Sequence, residues 1–265
     1  MYEFINFGID KSVATITLDR AEKRNALTRK YIQELSDSVD RVQADESIRL
    51  LVLRAAGTVF CAGMDLTEMK SRALADNPEK EWQTDSEVYN ELVSKIFALP
   101  IPTLAVLPGP VLAGGTGMVF ACDLVLAADN AFISLPEPKR GIVAAMVCPL
   151  LMHRTNLSTA SYLLLSGKPL TADEAHKQGL FHEVVPPEEL ENAERTLVQT
   201  TLSGSPSALA LTKSHLKKVA NVDVLQQNKD SAVISAQARR SADAREGLAA
   251  FVEKRPPRWE EKSAE

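Results

Sequence analysis

Two glycine-containing turns have the residue types needed to present backbone N–H groups to a bound anion. They are Phe60-Cys61-Ala62-Gly63-Met64-Asp65-Leu66 and Leu112-Ala113-Gly114-Gly115-Thr116-Gly117. Each follows a predicted strand, and the second also precedes a predicted helix, whose N-terminus carries partial positive charge. Two such donors that converge would form an oxyanion hole, which stabilises an enolate or a tetrahedral oxyanion. Taken singly, either turn is better explained by glycine permitting tight turns and close packing.

A glutamate between two prolines is the candidate acid/base. Glu137 follows a predicted strand over residues 132–135 and lies between Pro136 and Pro138, which stiffen its backbone. A carboxylate held rigidly in an apolar stretch can have a raised pKa and exchange protons with a substrate. The competing interpretation is an ordinary loop glutamate, which is the commoner case for a single carboxylate.

The cysteine and histidine residues indicate no further chemistry. The three cysteines lack CxxC spacing, which argues against a disulfide framework or a zinc site. Cys61 has no histidine near it in the sequence, so it is interpreted as a packing residue rather than a nucleophile. The four histidines form no HExxH or triad pattern. We therefore expect no metal site.

The elements that position these residues alternate between strands and helices in the first half of the chain. Residues 12–18 alternate apolar and polar side chains, and residues 50–53 are continuously apolar, as in a strand buried on both faces. Between them, Thr28 is the predicted N-cap of a helix whose apolar stripe is Ile32, Leu35, Val39 and Val42. Further strands are predicted over residues 103–107, 124–127 and 132–135, and a second helix over residues 88–97.

The later part of the chain has a different pattern. Strand signals stop after about residue 150, and helices are predicted over residues 162–165, 172–176, 188–197, 207–218 and 222–251. We therefore predict a mixed α/β core followed by helices that dock on a partner subunit. The polar residues 70–85 are weakly patterned and are predicted to form a mobile segment.

Composition and charge exclude several classes of protein. With 45% hydrophobic and 25% charged residues, the 265-residue chain has a globular composition. The net charge of −5 argues against a nucleic-acid-binding surface, but it leaves room for a local basic pocket that binds a small polyanion. No apolar run approaches the roughly 18–20 residues of a membrane helix. The N-terminus lacks a basic start with an apolar h-region, and we predict a cytoplasmic protein.

The two turns and Glu137 belong to a longer series of landmarks. In chain order these are Arg20-x3-Arg24-Asn25-Ala26-Leu27, the first glycine turn, Ala113-Gly114-Gly115 followed by Cys122-Asp123, Pro136-Glu137, Leu165-x4-Leu170-Thr171-Ala172-x-Glu174-Ala175-x3-Gly179-Leu180, and Phe251-x2-Lys254-Arg255. With them the sequence resembles the crotonase superfamily, also called the enoyl-CoA hydratase/isomerase family, over essentially the whole chain. The segment Met64-Asp65-Leu66-Thr67-Glu68-Met69 looks most like the Δ3,Δ2-enoyl-CoA isomerase branch.

This resemblance implies a crotonase-like spiral of ββα units over residues 1–195 and a helical C-terminal trimerisation region over residues 196–265. It also implies an acyl-CoA substrate, a homotrimer or dimer of trimers, no metal, and no cofactor beyond the CoA of the substrate. The backbone N–H groups of Met64 and Gly114 would bind the thioester oxygen. The residues implied along the CoA path are Lys23, Arg24, Ala26, Ala62, Met64, Asp65, Phe251 and Lys254. Of these, Lys23, Arg24 and Lys254 would meet the CoA phosphates. Phe251 and Lys254 would come from the same or a neighbouring subunit.

The acyl end distinguishes the reactions of the resembled family. Its hydratases carry one glutamate after the proline of the Pro-Glu landmark, here Glu137, and another three residues beyond the oxyanion-hole glycine, here Gly117. Hydration divides acid and base roles between two carboxylates, whereas moving a double bond from C3=C4 to C2=C3 needs one group. We therefore favour an enoyl-CoA isomerase with Glu137 as the single acid/base.

Two other interpretations stay open at this stage. One is an enoyl-CoA hydratase in which Glu68, or an acid of residues 70–85, holds the water. The other is a CoA-thioester binding protein without turnover, against which the presence of Glu137 together with both glycine turns argues.

Overall fold

The computed structural model describes residues 2–220 and 223–261. Its strands are β1 (Ile5–Asp10), β2 (Val13–Leu18), β3 (Leu50–Ala55), β4 (Thr103–Leu107), β5 (Val111–Leu112), β6 (Leu124–Ala128), β7 (Phe132–Ser134), β8 (Leu170–Thr171) and β9 (Glu183–Val185). Its helices are α1 (Arg29–Ala44), α2 (Leu66–Ala73), α3 (Pro78–Ala98), α4 (Gly114–Ala121), α5 (Cys148–Arg154), α6 (Leu157–Ser166), α7 (Ala172–Lys177), α8 (Leu190–Leu202), α9 (Pro206–Val219), α10 (Val224–Ala238), α11 (Ala242–Glu253) and α12 (Arg258–Glu261). Short 3-10 turns cover Ala21–Lys23, Glu137–Arg140 and Pro187–Glu189. Among the described residues, no helix has both the length and the apolar character required to cross a bilayer.

A six-stranded sheet lies at the centre of the described fold, in the order β1-β2-β3-β4-β6-β9. β1 pairs antiparallel with β2, and the later pairs in this sheet are parallel. β3 and β4 are buried on both faces, as the continuous apolar sequence of β3 predicts for that strand. On one face, Leu51 and Leu53 join the core that α1 and α3 cover. On the other, Leu50 and Val52 pack with residues of α8.

Helix α1 forms as its sequence predicts. The Thr28 side chain accepts a hydrogen bond from the Tyr31 N–H at 3.2 Å, which satisfies one of the donors that a helix start leaves unpaired. The predicted apolar stripe is buried in the core. Because burying one such side chain contributes roughly 1.5–3 kcal/mol, this stripe anchors α1 to the sheet.

A smaller sheet joins the segments that carry the second glycine turn and Glu137. Its strand order is β5-β7-β8, and β5 runs parallel to β7. Just beyond β5, the Ala113 N–H donates to the Ser134 carbonyl at 2.9 Å. Since β5 leads into α4 and β7 leads to Glu137, this pairing brings the two candidate groups to the same end of the small sheet.

Residues 70–85 are mainly helical, so the predicted mobile segment is wrong. They span the end of α2 and the start of α3. Asp65 caps α2 and Asn77 caps α3, because their side chains accept hydrogen bonds from backbone N–H groups in the first turn of each helix. Many of the polar side chains here form ion pairs between helices, such as Arg72 with Glu81 at 2.7 Å. Apolar periodicity misses helices that are held in this way.

The chain also returns to both sheets after residue 150, where the sequence predicts helices alone. β8 pairs with β7, and β9 pairs with β6. Strands of two or three residues are too short to display alternation, which is why the pattern misses them. The one helix predicted over residues 222–251 is two, α10 and α11, because Ser241 caps α11 by accepting from the Ala244 N–H at 2.9 Å. Residues 221–222 lie outside the described part of the chain.

Two C-terminal helices pack on the core of their own chain. α10 lies along α3, and α11 lies against the 3-10 turn that begins at Glu137. The second contact brings two backbones together: a Cβ on Gly247 would lie 2.3 Å from the Arg140 carbonyl carbon, and a Cβ on Gly141 would lie 2.2 Å from the Asp243 carbonyl oxygen. Glycine at both positions permits this approach, so α11 positions the segment that carries Glu137.

Candidate active site

The first glycine turn is held by hydrogen bonds on either side of Met64. The Leu27 N–H donates to the Gly63 carbonyl, and the Asp65 N–H donates to the Leu27 carbonyl, both at 2.8 Å. Gly63 has φ +88°, and a Cβ there would lie 2.6 Å from the Ala113 Cβ, so this position requires glycine. The Met64 N–H has no acceptor among the described residues.

The second glycine turn meets the first through two close contacts. A Cβ on Gly115 would lie 2.7 Å from the Cys61 Cβ, and a Cβ on Gly63 would lie 3.4 Å from the Gly114 nitrogen. Ala113, at φ 51° and ψ −129°, has a backbone conformation that costs a non-glycine residue roughly 1–3 kcal/mol. Its ψ angle orients the peptide group that carries the Gly114 N–H.

The N–H groups of Met64 and Gly114 therefore lie close together, and both residues line one cavity of about 710 Å³. Within the described chain, the Gly114 N–H also meets no acceptor. Two unpaired donors on one cavity wall, one of them at a helix start, have the arrangement of an oxyanion hole. Behind them, burial raises the pKa of the Cys61 thiol to about 12, which makes it a protonated packing group as predicted.

Glu137 lines the same cavity from the 3-10 turn that follows β7. The residue is only 7% exposed, and its Oε2 atom has no hydrogen-bond partner among the described residues. Burial raises the pKa of Glu137 to about 7, against smaller opposing effects of a hydrogen bond from its own backbone N–H and of the charge on Arg140. A carboxyl group that is half-ionised near neutrality, with one oxygen free, can both accept and return a proton.

Tyr89 of α3 fills the space beside Gly114. Its hydroxyl donates to the Gly114 carbonyl, and a Cβ on Gly114 would lie 3.4 Å from the tyrosine ring. A Cβ on Gly117 would lie only 2.2 Å from the same hydroxyl oxygen. Burial raises the pKa of Tyr89 well above its ordinary value, so the hydroxyl stays protonated. The space that a side chain at position 117 would enter is thus occupied by a tyrosine from another helix.

The residues predicted for the CoA path line the same cavity. They are Lys23, Arg24, Ala26, Ala62, Met64, Asp65, Phe251 and Lys254. Phe251 and Lys254 reach it within one chain, without a neighbouring subunit. Arg20 also lines the cavity and pairs with Asp65 at 2.9 Å. Lys23, Arg24 and Lys254 give this region a local positive charge in a chain whose net charge is −5.

The sequence as a whole matches one protein family. The profile of the family described as enoyl-CoA hydratase/isomerase covers residues 8–262. The chain belongs to the enoyl-CoA hydratase/isomerase family. The resemblance drawn from the ordered landmarks is confirmed at the level of this family, the crotonase superfamily.

Individual members of the enoyl-CoA hydratase/isomerase family agree with this assignment. A putative enoyl-CoA hydratase of Thermus thermophilus is 32% identical over 247 residues, covering 93% of this chain and 97% of that protein. The 1,2-epoxyphenylacetyl-CoA isomerase of Escherichia coli is 30% identical over 261 residues, covering 98% and 99%. The crystal structure of an enoyl-CoA hydratase/isomerase from Xanthobacter autotrophicus Py2 matches with a TM-score of 0.86 at 26% identity, covering 96% and 97%. The predicted crotonase-like α/β fold is confirmed.

Asn25 explains why one family landmark has its particular residues. Its backbone is left-handed, with φ 52°, a conformation that asparagine tolerates better than most residues. The side-chain amide donates to the Ala56 and Val59 carbonyls at 3.0 and 2.9 Å and accepts from the Arg20 N–H at 2.8 Å. This buried, fully bonded side chain holds Arg24 and its neighbours at the cavity wall.

Sequence reasoning missed several residues of this wall. The apolar stripe that predicts α3 includes Tyr89, but periodicity does not predict which residues the Tyr89 hydroxyl contacts. Residues 142–147 belong to the longest apolar run of the sequence, and they form an apolar part of the cavity wall. Arg140 lies over the Phe251 ring, 4.4 Å from its centroid, and lines the cavity beside Glu137. No sequence signal identified Arg239, which reaches the cavity from the end of α10.

The acids considered as water-holding groups are engaged by arginines. Glu68 accepts from the Arg29 N–H at 2.9 Å and pairs with Arg72 at 3.0 Å. Among residues 70–85, the acid that lines the cavity is Asp85. Its two oxygens face Arg29 at 2.7 Å and Arg72 at 3.3 Å. Each of these carboxylates therefore has a structural partner.

Proposed function

We propose that this protein is a Δ3,Δ2-enoyl-CoA isomerase that uses Glu137 as its single acid/base. The observation that carries the proposal is the space beside Gly117, which contains the Tyr89 hydroxyl instead of a second carboxylate. Hydration needs a base for the water and an acid for C2, whereas a double-bond shift uses one proton-exchanging group twice. This acyl end supplies one unpartnered carboxyl group, that of Glu137.

The proposed reaction starts from a 3-enoyl-CoA whose thioester oxygen accepts hydrogen bonds from the backbone N–H groups of Met64 and Gly114. The Glu137 carboxylate removes a proton from C2, and the C–H electron pair enters a dienolate with its charge on the thioester oxygen. The protonated Glu137 then gives the proton to C4, which yields 2-enoyl-CoA and restores the carboxylate. Each N–H donor contributes about 3–4 kcal/mol to stabilising this intermediate. No water or co-reactant is consumed.

An enoyl-CoA hydratase is the second candidate, because relatives such as the Thermus thermophilus protein carry that name. A hydratase would need a second group to hold the water. The two acids nearest to that role, Glu68 and Asp85, are both paired with Arg72. We rank the isomerase first for this reason. A binding protein without turnover would have no use for the unpartnered Glu137.

We also propose that the active form is a cytoplasmic homotrimer or dimer of trimers, with Lys23, Arg24 and Lys254 meeting the CoA phosphates. Exposed apolar side chains on α6 and α9 support assembly, since monomers rarely expose many of them together. Those that are 60–79% exposed are Leu157, Leu165, Leu211, Leu216 and Val219. Light scattering measures the mass, and a monomer at micromolar concentration would contradict the proposed assembly.

The primary test measures two reactions in parallel on the native protein: conversion of 3-enoyl-CoA to 2-enoyl-CoA, and hydration of 2-enoyl-CoA. Because one general acid/base group contributes about 10²–10⁴-fold, we expect isomerisation to be at least ~10²-fold faster than hydration. Robust hydration with no isomerisation would reverse the ranking of the two candidates.

A pair of variants tests the role of the space at Gly117. Gly117→Glu alone should disturb packing, because its Cβ would lie 2.2 Å from the Tyr89 hydroxyl oxygen. Combining it with Tyr89→Ala provides room for the new carboxylate, and we expect hydratase activity above that of the Tyr89→Ala control. A well-folded Gly117→Glu single variant with equal hydratase activity would show that Tyr89 is not the obstacle.

A further inference from the structure

The cavity does not end at Tyr89. Its lining extends along α3 to Asp85 and includes, at this end, Ser235 and Arg239 from α10 and its C-terminal cap. We propose that this end is a subsite for an acyl group whose far end is an oxygen acceptor, with a carboxylate as the preferred form. The proposal rests on the acyl-CoA site proposed above and specifies which acyl groups that site selects.

Arg239 is the group that defines the subsite. It is 6% exposed, yet its guanidinium makes only two long hydrogen bonds, from Nη1 to the Trp82 carbonyl at 3.3 Å and to the Ser86 hydroxyl at 3.4 Å. Among the described residues it forms no ion pair with a carboxylate. A guanidinium has five N–H donors, and burying its charge without a close counterion is unfavourable. A ligand carboxylate in the cavity would offset that cost.

The nearby Asp85 does not serve as the counterion of Arg239. It accepts from Arg29 Nε at 2.8 Å, and its other oxygen faces Arg72 at 3.3 Å. Asp85 acts on Arg239 only through space, whereas Arg29 and Arg72 hold its oxygens directly. The other carboxylates of this network, Glu68 and Glu81, pair with the same two arginines. Among the arginines around Asp85, Arg239 therefore keeps a positive charge that a ligand carboxylate at this end of the cavity can neutralise.

The place where Arg239 contacts α3 sets the length of acyl group that fits. Its partners Trp82 and Ser86 precede Tyr89 on the same helix, and Tyr89 contacts Gly114 of the oxyanion hole. At 1.5 Å per residue, the two α3 residues that contact Arg239 lie roughly 5–10 Å along the helix from Tyr89. A short chain spans this distance, and Ser235, one turn before Arg239 on α10, adds a hydroxyl at the same end.

The test uses saturated acyl-CoAs, which bind but cannot isomerise. Calorimetry compares hexanoyl-CoA with adipoyl-CoA, a thioester of equal length that ends in a carboxylate, and with the methyl ester of adipoyl-CoA. We expect the native protein to bind adipoyl-CoA ~10–100-fold more tightly than hexanoyl-CoA, as for a charge-assisted hydrogen bond, with the methyl ester between them. Equal or tighter binding of hexanoyl-CoA would overturn the proposal without any variant being made.

Variants at two adjacent arginines then assign the preference. Arg239→Gln should remove the preference for adipoyl-CoA over hexanoyl-CoA, and Arg239→Lys should retain part of it. Arg240→Gln is the matched control, because Arg240 is exposed and pairs with Glu79 on the surface. Discrimination that survives in a folded Arg239→Gln protein would contradict the assignment. Because saturated esters do not react, a protein that proves to be a hydratase leaves this binding result unchanged, so the two failures are distinguishable.

Discussion

Two buried carboxylates line the same cavity and have opposite surroundings. Glu137 has an oxygen without a partner, and burial raises its pKa to about 7. Asp85 is as deeply buried, but Arg29 and Arg72 hold its two oxygens. Burial raises the pKa of Asp85 too, with the neighbouring arginines opposing the shift. In this molecule, the groups that pair with a buried carboxylate, rather than its degree of burial, distinguish a proton carrier from a structural anion.

The partners of Asp85 also explain its structural role. Arg29 begins α1, Arg72 lies near the end of α2, and Asp85 belongs to α3, so one carboxylate connects three helices. Glu137 connects nothing through its side chain and is positioned instead by its backbone, which packs on α11. A residue positioned in this way can change its protonation state without disturbing a network.

The largest expected effect is on turnover. Glu137→Gln keeps the size of the side chain but removes the proton acceptor, so isomerisation should fall by at least ~10²-fold while binding of saturated acyl-CoA persists. Asp85→Asn is the matched control, and its turnover in folded protein should stay within a few-fold of the native value. Steady-state kinetics measures both. A Glu137→Gln protein that is nearly as active as the native one would remove Glu137 as the sole acid/base.

The next effect is on stability, and here the order of the two residues reverses. Asp85→Asn removes the buried anion that Arg29 and Arg72 share, while Glu81 stays paired with both, so the free energy of unfolding should drop by about 1–3 kcal/mol. Urea denaturation at neutral pH measures this loss. An unchanged midpoint would mean that the Asp85 pairs contribute no more than surface ion pairs.

Glu137→Gln should be stabilising above neutral pH. The folded pKa of Glu137, about 7, lies above its ordinary value of 4.5, so the unfolded chain ionises first as the pH rises. The stability that protonated Glu137 contributes is fully present below the ordinary value and is lost as the pH passes through 7. The Gln variant escapes this loss and should gain about 2–3 kcal/mol at pH 8, with no gain near pH 4. Thermal or urea unfolding at both pH values tests the sign.

The smallest effect concerns the charge of Arg140. Since the reaction needs ionised Glu137, kcat/KM for isomerisation should rise with pH around a midpoint near 7. Arg140 favours the carboxylate, so Arg140→Met should move that midpoint upward, whereas Arg140→Lys should leave it in place. If the midpoint of the pH dependence of kcat/KM is unchanged in both variants, Arg140 acts through its contact with Phe251 alone.

Much of the architecture follows from local pattern. Period-two alternation predicts β2, a continuous apolar run predicts β3, and the stripe after Thr28 predicts α1; all three are present. Pattern failed where no apolar period exists to be recognised. Residues 70–85 are helical because of caps and ion pairs between helices, and β8 and β9 exist because partner strands supply their hydrogen bonds.

The sequence by itself determined the family, the single glutamate after Pro136 and the missing side chain at Gly117, because these depend only on residue identity and order along the chain. The tertiary structure alone decided that Tyr89 fills the space at Gly117, that Glu137 keeps an oxygen without a partner, and that Arg239 faces the cavity. Helical periodicity specifies which face of α3 is buried, but the atoms that this face meets come from segments far away in the chain. Packing between those segments sets the contacts, the local dielectric and hence the pKa on which the proposed chemistry depends.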